Sequence, residues 1–214
     1  MDVAERIEHT VLGPRTTRAE VTAALDEALR YGMRACVPPC YLAAAGEYAP
    51  GVEVTTVVAF PHGQAMTEAK VAAAREAYEA GAAEIDVVAN AGHLLGEEQA
   101  AYRDDLAEVV AAVPVPVKVI VEAPALSADQ LRRACEAAVE ADAAFLKTAT
   151  GFGAGGATVD DVEVMSQYLP VKASGGIGSW AGAEAMFAAG AERIGASAGA
   201  AIVAEYREAT GVGE

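Results

Sequence analysis

An α/β protein folded as a single-domain (β/α)8 barrel is the architecture that the sequence predicts, and three observations carry the prediction. Short β-branched runs alternate with longer Ala-rich segments of helical periodicity. Eight such units can be counted along the 214 residues, and a chain of this length suits one barrel of about 200 residues or more. No Ser/Pro linker, charge block or low-complexity tract divides the chain. An open doubly wound sheet shares the alternation and is the competing architecture, but eight evenly spaced units suit closure better than an open edge.

The strand candidates are Glu8–Leu12, Arg34–Val37, Val54–Ala59, Glu84–Val88, Val117–Glu122, Phe145–Thr148, Val171–Ser174 and Arg193–Gly195. Each is a short run of β-branched and apolar residues, some broken by single polar side chains. The helix candidates that follow them are Arg18–Tyr31, Cys40–Gly46, Thr67–Ala80, Gly96–Ala112, Ala128–Ala141, Val159–Tyr168, Ala181–Ala189 and Gly199–Thr210. Thr17, Thr67, Ser127, Thr158, Ser179 and Ser197 stand where an N-cap side chain accepts from free backbone N–H groups. Gly32, Gly81 and Gly190 supply helix stops.

Composition narrows the function classes. A formal net charge of −16 argues against nucleic acid as a partner, because phosphate binding depends on Lys and Arg that displace counterions. The acidic surface fits a salt-rich cytoplasm and an ordinary soluble protein equally. Met1–Arg6 carries charges and no apolar core, and nothing approaches the roughly 18 uninterrupted apolar residues of a membrane span. A cytoplasmic protein with no membrane contact is expected. Cys36, Cys40 and Cys135 are an odd, sparse set, so reduced thiols are expected. His9, His62 and His93 are scattered and the Cys36/Cys40 spacing lacks a second ligand pair, so neither a metal nor another cofactor is expected. Cys40 and Cys135 read as small apolar helix residues, and Glu97, Glu98, Asp104, Asp105 and Glu108 as a solvated face.

The chemistry concentrates on lysine. Only Lys70, Lys118, Lys147 and Lys172 occur, with Arg supplying the other 11 of 15 basic residues. Three of the four lie within apolar strand candidates, as V-K-V-I-V-E, F-L-K-T and V-K-A-S. Burial favours the neutral amine, and a neutral amine is a nucleophile. Functional groups of a barrel converge at the C-terminal strand ends, where Lys147 and Lys172 fall on successive strands. Two ammonium groups held close repel, which depresses the pKa of one and keeps it reactive. Lys147 attacking a carbonyl while Lys172 supplies the neighbouring charge is therefore a coherent mechanism; snorkelling or structural ion pairing of the lysines is the alternative. Asp86, inside E-I-D-V-V, faces inward as a proton relay or as a counter-ion. T-G-F-G-A-G-G, S-G-G-I-G and G-A-S-A-G are late glycine-rich loops suited to a phosphate at the last strands.

The segments I-E-H-T-V-L, V-V-A-F-P-H-G, G-A-A-E-I-D-V-V, V-K-V-I-V-E, F-L-K-T-A-T-G-F, G-G-A-T-V-D-D-V, V-K-A-S-G-G-I and R-I-G-A-S closely resemble, in order from about residue 7 to residue 199, those of the deoxyribose-phosphate aldolase family. That resemblance implies a TIM barrel and a metal-free, Schiff-base (class I) aldolase, a carbon-carbon lyase. It would reversibly cleave 2-deoxy-D-ribose 5-phosphate to D-glyceraldehyde 3-phosphate and acetaldehyde in deoxynucleoside breakdown. By the same resemblance Lys147 matches the Schiff-base lysine, Lys172 the second lysine that tunes it, Asp86 the acid that works with Lys172 and a water, and Lys118 a further pocket lysine. The phosphate falls to Gly151, Gly175, Gly176, Gly195 and Ser197, largely through backbone donors, while Thr10, Cys36 and Thr150 shape the rest of the pocket. A homo-oligomer is implied as well. The chain departs from the family pattern at Gly178, where Arg is usual and a cation is lost from the phosphate end, at Ala149, where Ser is common, and in its G-V-G-E ending, which lacks a Tyr. Two other readings remain: a Schiff-base aldolase or lyase with a different substrate, and a non-catalytic barrel that binds a phosphometabolite.

Overall fold

The computed structural model describes residues 2–211. Its strands are β1 (Ile7–Thr10), β2 (Arg34–Cys36), β3 (Val54–Val58), β4 (Glu84–Val88), β5 (Val117–Ile120), β6 (Phe145–Lys147), β7 (Val171–Ser174) and β8 (Ala191–Ala196). All pair in parallel and in chain order, and β8 returns to β1 through Ile7 opposite Ile194 and Glu8 opposite Gly195. The ring is closed, as the eight even units predict, and the open sheet is excluded. Closure removes the unpaired edge that an open sheet exposes.

Alternation along each strand divides its side chains between two environments. Ile7, Ile85, Val87, Val119, Leu146 and Ile194 are fully buried and belong to the apolar layer between barrel and helices. Burying such a side chain stabilises the fold by about 1.5–3 kcal/mol. The helices cover that layer with matching stripes: α6 (Ala128–Glu140) buries Leu131, Ala134, Cys135, Ala137 and Ala138, one face of a 3.6-residue period. The interior of the ring receives the polar partners of the alternation, and there the site forms.

The remaining helices are α1 (Arg18–Tyr31), α2 (Leu42–Tyr48), α3 (Thr67–Glu79), α4 (Ala91–Leu95), α5 (Gln99–Ala111), α7 (Val159–Met165), α8 (Trp180–Ala188) and α9 (Gly199–Thr210). Thr17, Ser127, Thr158 and Ser179 cap α1, α6, α7 and α8 as expected. Gly32, Gly81 and Gly190 all take positive φ after a helix.

Several expectations are corrected. The helix read as Gly96–Ala112 starts only at Gln99, as α5, after Glu97 takes a φ of 61°, and the short α4 before it was not expected. The one read from Cys40 starts at Leu42, because Pro39–Tyr41 is a 3-10 turn. The one read as Val159–Tyr168 stops at Met165, and the strand read as Glu8–Leu12 ends at Thr10. Thr67 does not cap α3: it is the first helical residue, and its hydroxyl donates to Asp105 Oδ1 at 2.8 Å. Ser197 does not cap α9, whose N-cap is Ala198. Asp105 is no part of a solvated face; it is buried with Lys70, whose Nζ lies 2.6 Å from its Oδ2. Helical periodicity placed Asp105 on α5 but not which face α3 would cover. Residues 212–214 of the G-V-G-E ending lie outside the described residues.

Candidate active site

Glu84 and Asp86, two apart on β4, share one face, and the strand register sets Asp86 opposite Lys118 and Lys147 opposite Lys172. Ion pairs between strands that are not neighbours can only cross the interior of the ring. Glu8 of β1 reaches Lys118 of β5 at 3.4 Å and also bonds Lys172 of β7. Asp86 accepts from Lys118 at 3.0 Å through Oδ1, and from Lys147 at 2.8 Å and Lys172 at 2.7 Å through Oδ2. Asp86 therefore holds all three strand lysines, and one of its oxygens bridges Lys147 and Lys172.

The electrostatics follow from that bridging. Burial alone raises a carboxyl pKa, but the ammonium groups of Lys118, Lys147 and Lys172 hold Asp86 well below the usual carboxylate range. Burial likewise works against Glu8, and Lys172 and Lys118 outweigh it, bringing its pKa down to about 2. Burial disfavours the Lys172 ammonium, yet Asp86 and Glu8 more than compensate and its pKa is raised. The repulsion expected between Lys147 and Lys172 left out the carboxylate that stands between them, which makes Lys172 a firmly held cation. Lys118 is raised in the same way, by Asp86 and Glu8 against burial.

A cavity of about 500 Å³ is lined from the C-terminal ends of β1, β6, β7 and β8 and the loops beyond them. Thr10, Lys147, Thr150, Gly151, Gly175, Gly176, Gly195 and Ser197, all expected at the site, line it together with Leu12, Phe152, Ile177 and Gly178. Lys147 is the one Lys or Arg side chain among its lining residues, and it is 3% exposed. Lys118 and Lys172 are 0% exposed and lie beneath. Neither Lys118 nor Cys36 lines the cavity, which corrects both placements. Cys36 is sealed in the interior, where burial pushes its thiol up to about 11. Gly178 adds no side chain, so apart from Lys147 the polar side chains of the lining are the hydroxyls of Thr10, Thr150, Ser174 and Ser197.

Close backbone approach explains two glycines. A Cβ on Gly195 falls 2.8 Å from Lys172 Cε, and one on Gly156 falls 2.3 Å from the Gly175 carbonyl oxygen. Gly195 thus makes room for Lys172, and Gly156 lets the 151–156 loop lie on the turn after β7. Glu122, with a φ of 55°, anchors the same loop by accepting from Thr150 N–H at 2.9 Å. Thr148 Oγ donates to the Ser174 carbonyl at 2.8 Å and accepts from its N–H at 2.9 Å, tying together the ends of β6 and β7 that carry the two lysines.

Glu8, Glu84, Arg193 and Glu122 went unread as site residues. Glu8 and Glu84 carried the signal that marked Asp86, an acid inside an apolar strand run; Arg193 sits at a strand start like many solvated arginines. Among the described residues Glu8, Cys36 and Asp86 also bring donor atoms within 4.8 Å of one another, a grouping the sequence spacing did not suggest. Its two carboxylates are engaged by lysine ammonium groups, which compete directly with a metal cation.

No protein-family model matches the chain. It is 61% identical over 209 residues to the deoxyribose-phosphate aldolase of Haloarcula marismortui, covering 98% of this chain and 90% of that one. It is 64% identical over 200 residues to that of Natronomonas pharaonis, covering 94% and 93%. Among solved structures, the aldolase QR15 superimposes with a TM-score of 0.95 at 34% identity over 100% of both chains. The tetrameric deoxyribose phosphate aldolase of Aeropyrum pernix gives 0.88 at 32% identity over 97% and 92%. A closed barrel with one lysine at the floor of its C-terminal cavity, and identity of this level over nearly the whole chain, lead to one conclusion: the chain belongs to the deoxyribose-phosphate aldolase family.

Proposed function

We propose that this protein, as one aldolase barrel domain, reversibly cleaves 2-deoxy-D-ribose 5-phosphate to D-glyceraldehyde 3-phosphate and acetaldehyde through an imine on Lys147. The observation that carries the reading is that Lys147 alone of the three interior lysines reaches the cavity, while its Nζ stays bonded to Asp86 at 2.8 Å. The neutral Lys147 amine adds to C1 of the open-chain sugar, and loss of water gives the iminium. Removal of the C3 hydroxyl proton breaks the C2–C3 bond and sends its electron pair into the iminium, releasing glyceraldehyde 3-phosphate and leaving an enamine. Protonation at C2 and hydrolysis release acetaldehyde and return the amine.

Asp86 is suited to orienting the amine and holding charge, since a carboxyl kept so far below its ordinary range is a weak base. Lys172 supplies a fixed positive charge beside the reacting nitrogen, and Lys118 keeps Asp86 in place. Gly151, Gly175, Gly176, Gly195 and Ser197 are assigned to the phosphate, with Thr10 and Thr150 flanking the sugar. With Gly178 at the rim, phosphate binding rests on backbone donors and hydroxyls. No helix among the described residues is long and apolar enough to cross a membrane, and the protein is read as cytoplasmic and, like its tetrameric relative from Aeropyrum pernix, as a homo-oligomer.

The deciding experiment is borohydride reduction in the presence of acetaldehyde, with the adduct mapped by peptide mass, alongside turnover of deoxyribose with and without the 5-phosphate. An adduct on Lys147 and faster turnover of the phosphate ester are expected. A folded protein with no adduct overturns the imine chemistry, and equal turnover of the two sugars overturns the assigned substrate. Gly195→Ala is expected to lower kcat by roughly 10²-fold, because the added methyl displaces Lys172 from the amine. Steady-state kinetics on a variant with an unchanged melting temperature check it.

A further inference from the structure

The charged interior does not end at Asp86. Lys118 Nζ lies 2.5 Å from Glu84 Oε2, Arg193 Nη1 bonds the same carboxylate oxygen, and Arg193 also approaches Glu8 Oε1 at 3.4 Å. Arg34 touches Glu84 at 3.4 Å and pairs with Glu53 outside the ring. Arg34 and Arg193 line a second cavity, of about 430 Å³, at the N-terminal mouth of the barrel. An unbroken chain of opposite charges therefore runs through the barrel from that mouth to Lys147.

The signs along it nearly cancel. Three carboxylates, Glu8, Glu84 and Asp86, face three permanent cations, Lys118, Lys172 and Arg193, while Arg34 is matched by Glu53. With Lys147 as a free amine the interior is neutral; with Lys147 as an ammonium it holds one positive charge in excess. A buried excess charge is unfavourable in a low-dielectric interior.

We propose that Glu84 and Arg193 are positioning residues whose opposite charges set how much of Lys147 is free amine, acting through Lys118 and Asp86 without touching the substrate. The proposal rests on the assignment of Lys147 as the imine-forming residue. The groups surrounding Lys147 support it from each side. Asp86 and Glu84 come from β4, Lys118 from β5, Lys172 from β7, Glu8 from β1, the Cys36 thiol from β2 and Arg193 from β8. The interior face of β3 offers Thr55 and Val57, which carry no charge, and Glu122, beyond the end of β5, accepts from Thr150 through Oε2 while its Oε1 has no partner; its charge is the same in every variant below. Glu84 itself is held ionised, Lys118 and Arg193 outweighing its burial. Of these groups, Glu84 and Arg193 are the pair whose charges can be removed while leaving every direct partner of Lys147 in place.

The test is the pH dependence of kcat/KM, together with that of the borohydride-trapped acetaldehyde adduct, for the wild type, Arg193→Met, Glu84→Gln, the double variant and Arg193→Lys. Deleting the Arg193 charge leaves a negative excess that stabilises the ammonium, so the acid limb is expected to move up by about one pH unit. Deleting the Glu84 charge is expected to move it down by a similar amount. The double variant restores the balance and Arg193→Lys retains it, so both are expected to return the limb to the wild-type position. Arg193→Gln, which keeps a donor toward Glu84, replaces Arg193→Met if the latter does not fold. Superimposed profiles in folded variants that still trap the adduct on Lys147 overturn this role and leave the imine chemistry standing. Shifts of the same sign in both single variants overturn it too, since structural loosening acts alike from either side. Absence of the Lys147 adduct in the wild type instead removes the assignment on which the proposal rests.

Discussion

Lys147→Ala is expected to lower kcat/KM by about 10⁴-fold or more and to abolish the borohydride-trapped adduct, because among the described residues no other lysine lines the cavity. Lys147→Arg sharpens the test. A guanidinium preserves the charge facing Asp86 but is no nucleophile at neutral pH, so this variant is expected to fold and remain as inactive as the alanine variant. Steady-state kinetics and peptide mapping read both outcomes. Residual turnover within tenfold of wild type in either variant rules out Lys147 as the attacking group.

The second large effect is on stability. Asp86→Asn removes a carboxylate that accepts from three lysines, of which Lys118 and Lys172 are fully buried cations. Leaving buried cations short of a counter-ion costs about 3–5 kcal/mol, and in a chain of this size that corresponds to a fall in melting temperature of roughly 6–20 °C. Activity is expected to fall with it, since the bridge between Lys147 and Lys172 is lost. The same carboxylates govern acid stability. Glu8 and Asp86 have folded pKa values below their ordinary ones, so their stabilising contribution is fully present above about pH 4.5. It is lost as pH falls toward the folded value, about 2 for Glu8. Lys172, raised instead, contributes fully below its ordinary value near 10.5 and loses that contribution only in more alkaline solution. The wild-type melting temperature is therefore expected to decline gently below about pH 6.5, where burial holds the His9 imidazole below its ordinary value and the unfolded chain takes up that proton first, and to drop more steeply below about pH 4.5. In Asp86→Asn the drop below pH 4.5 should be smaller, because one of the titrating groups is gone. Calorimetric melts between pH 2 and 7 provide the check.

These two variants also separate what was legible in the sequence from what was not. Alternation of β-branched runs with Ala-rich helices identified all eight units, since period and length are local properties. A lysine or an acid inside an apolar strand run was enough to single out Lys118, Lys147, Lys172 and Asp86, because an ionisable group there needs a partner. The glycine-rich loops after the last strands lie where the fold class placed them.

Strand period fixes which residues share a face, but not which face turns inward, nor what stands opposite across the ring. Asp105 shows the cost: its helix was recognised, yet only the packing of α3 against α5 made it the buried partner of Lys70. Glu8 and Lys172 are 164 residues apart in sequence and in contact in space. No local pattern carries that information, and the same holds for Glu84 with Arg193. By itself the sequence determined the order of the units and the residue types able to form an imine. The closed ring, through its register, decided that Asp86 stands between two lysines, that Lys118 and Cys36 lie below the cavity, and that Lys147 alone of the three strand lysines lines it. The physical reason is that secondary structure follows from short-range periodicity, whereas burial and charge pairing at a site depend on contacts that exist only once distant strands have been brought together.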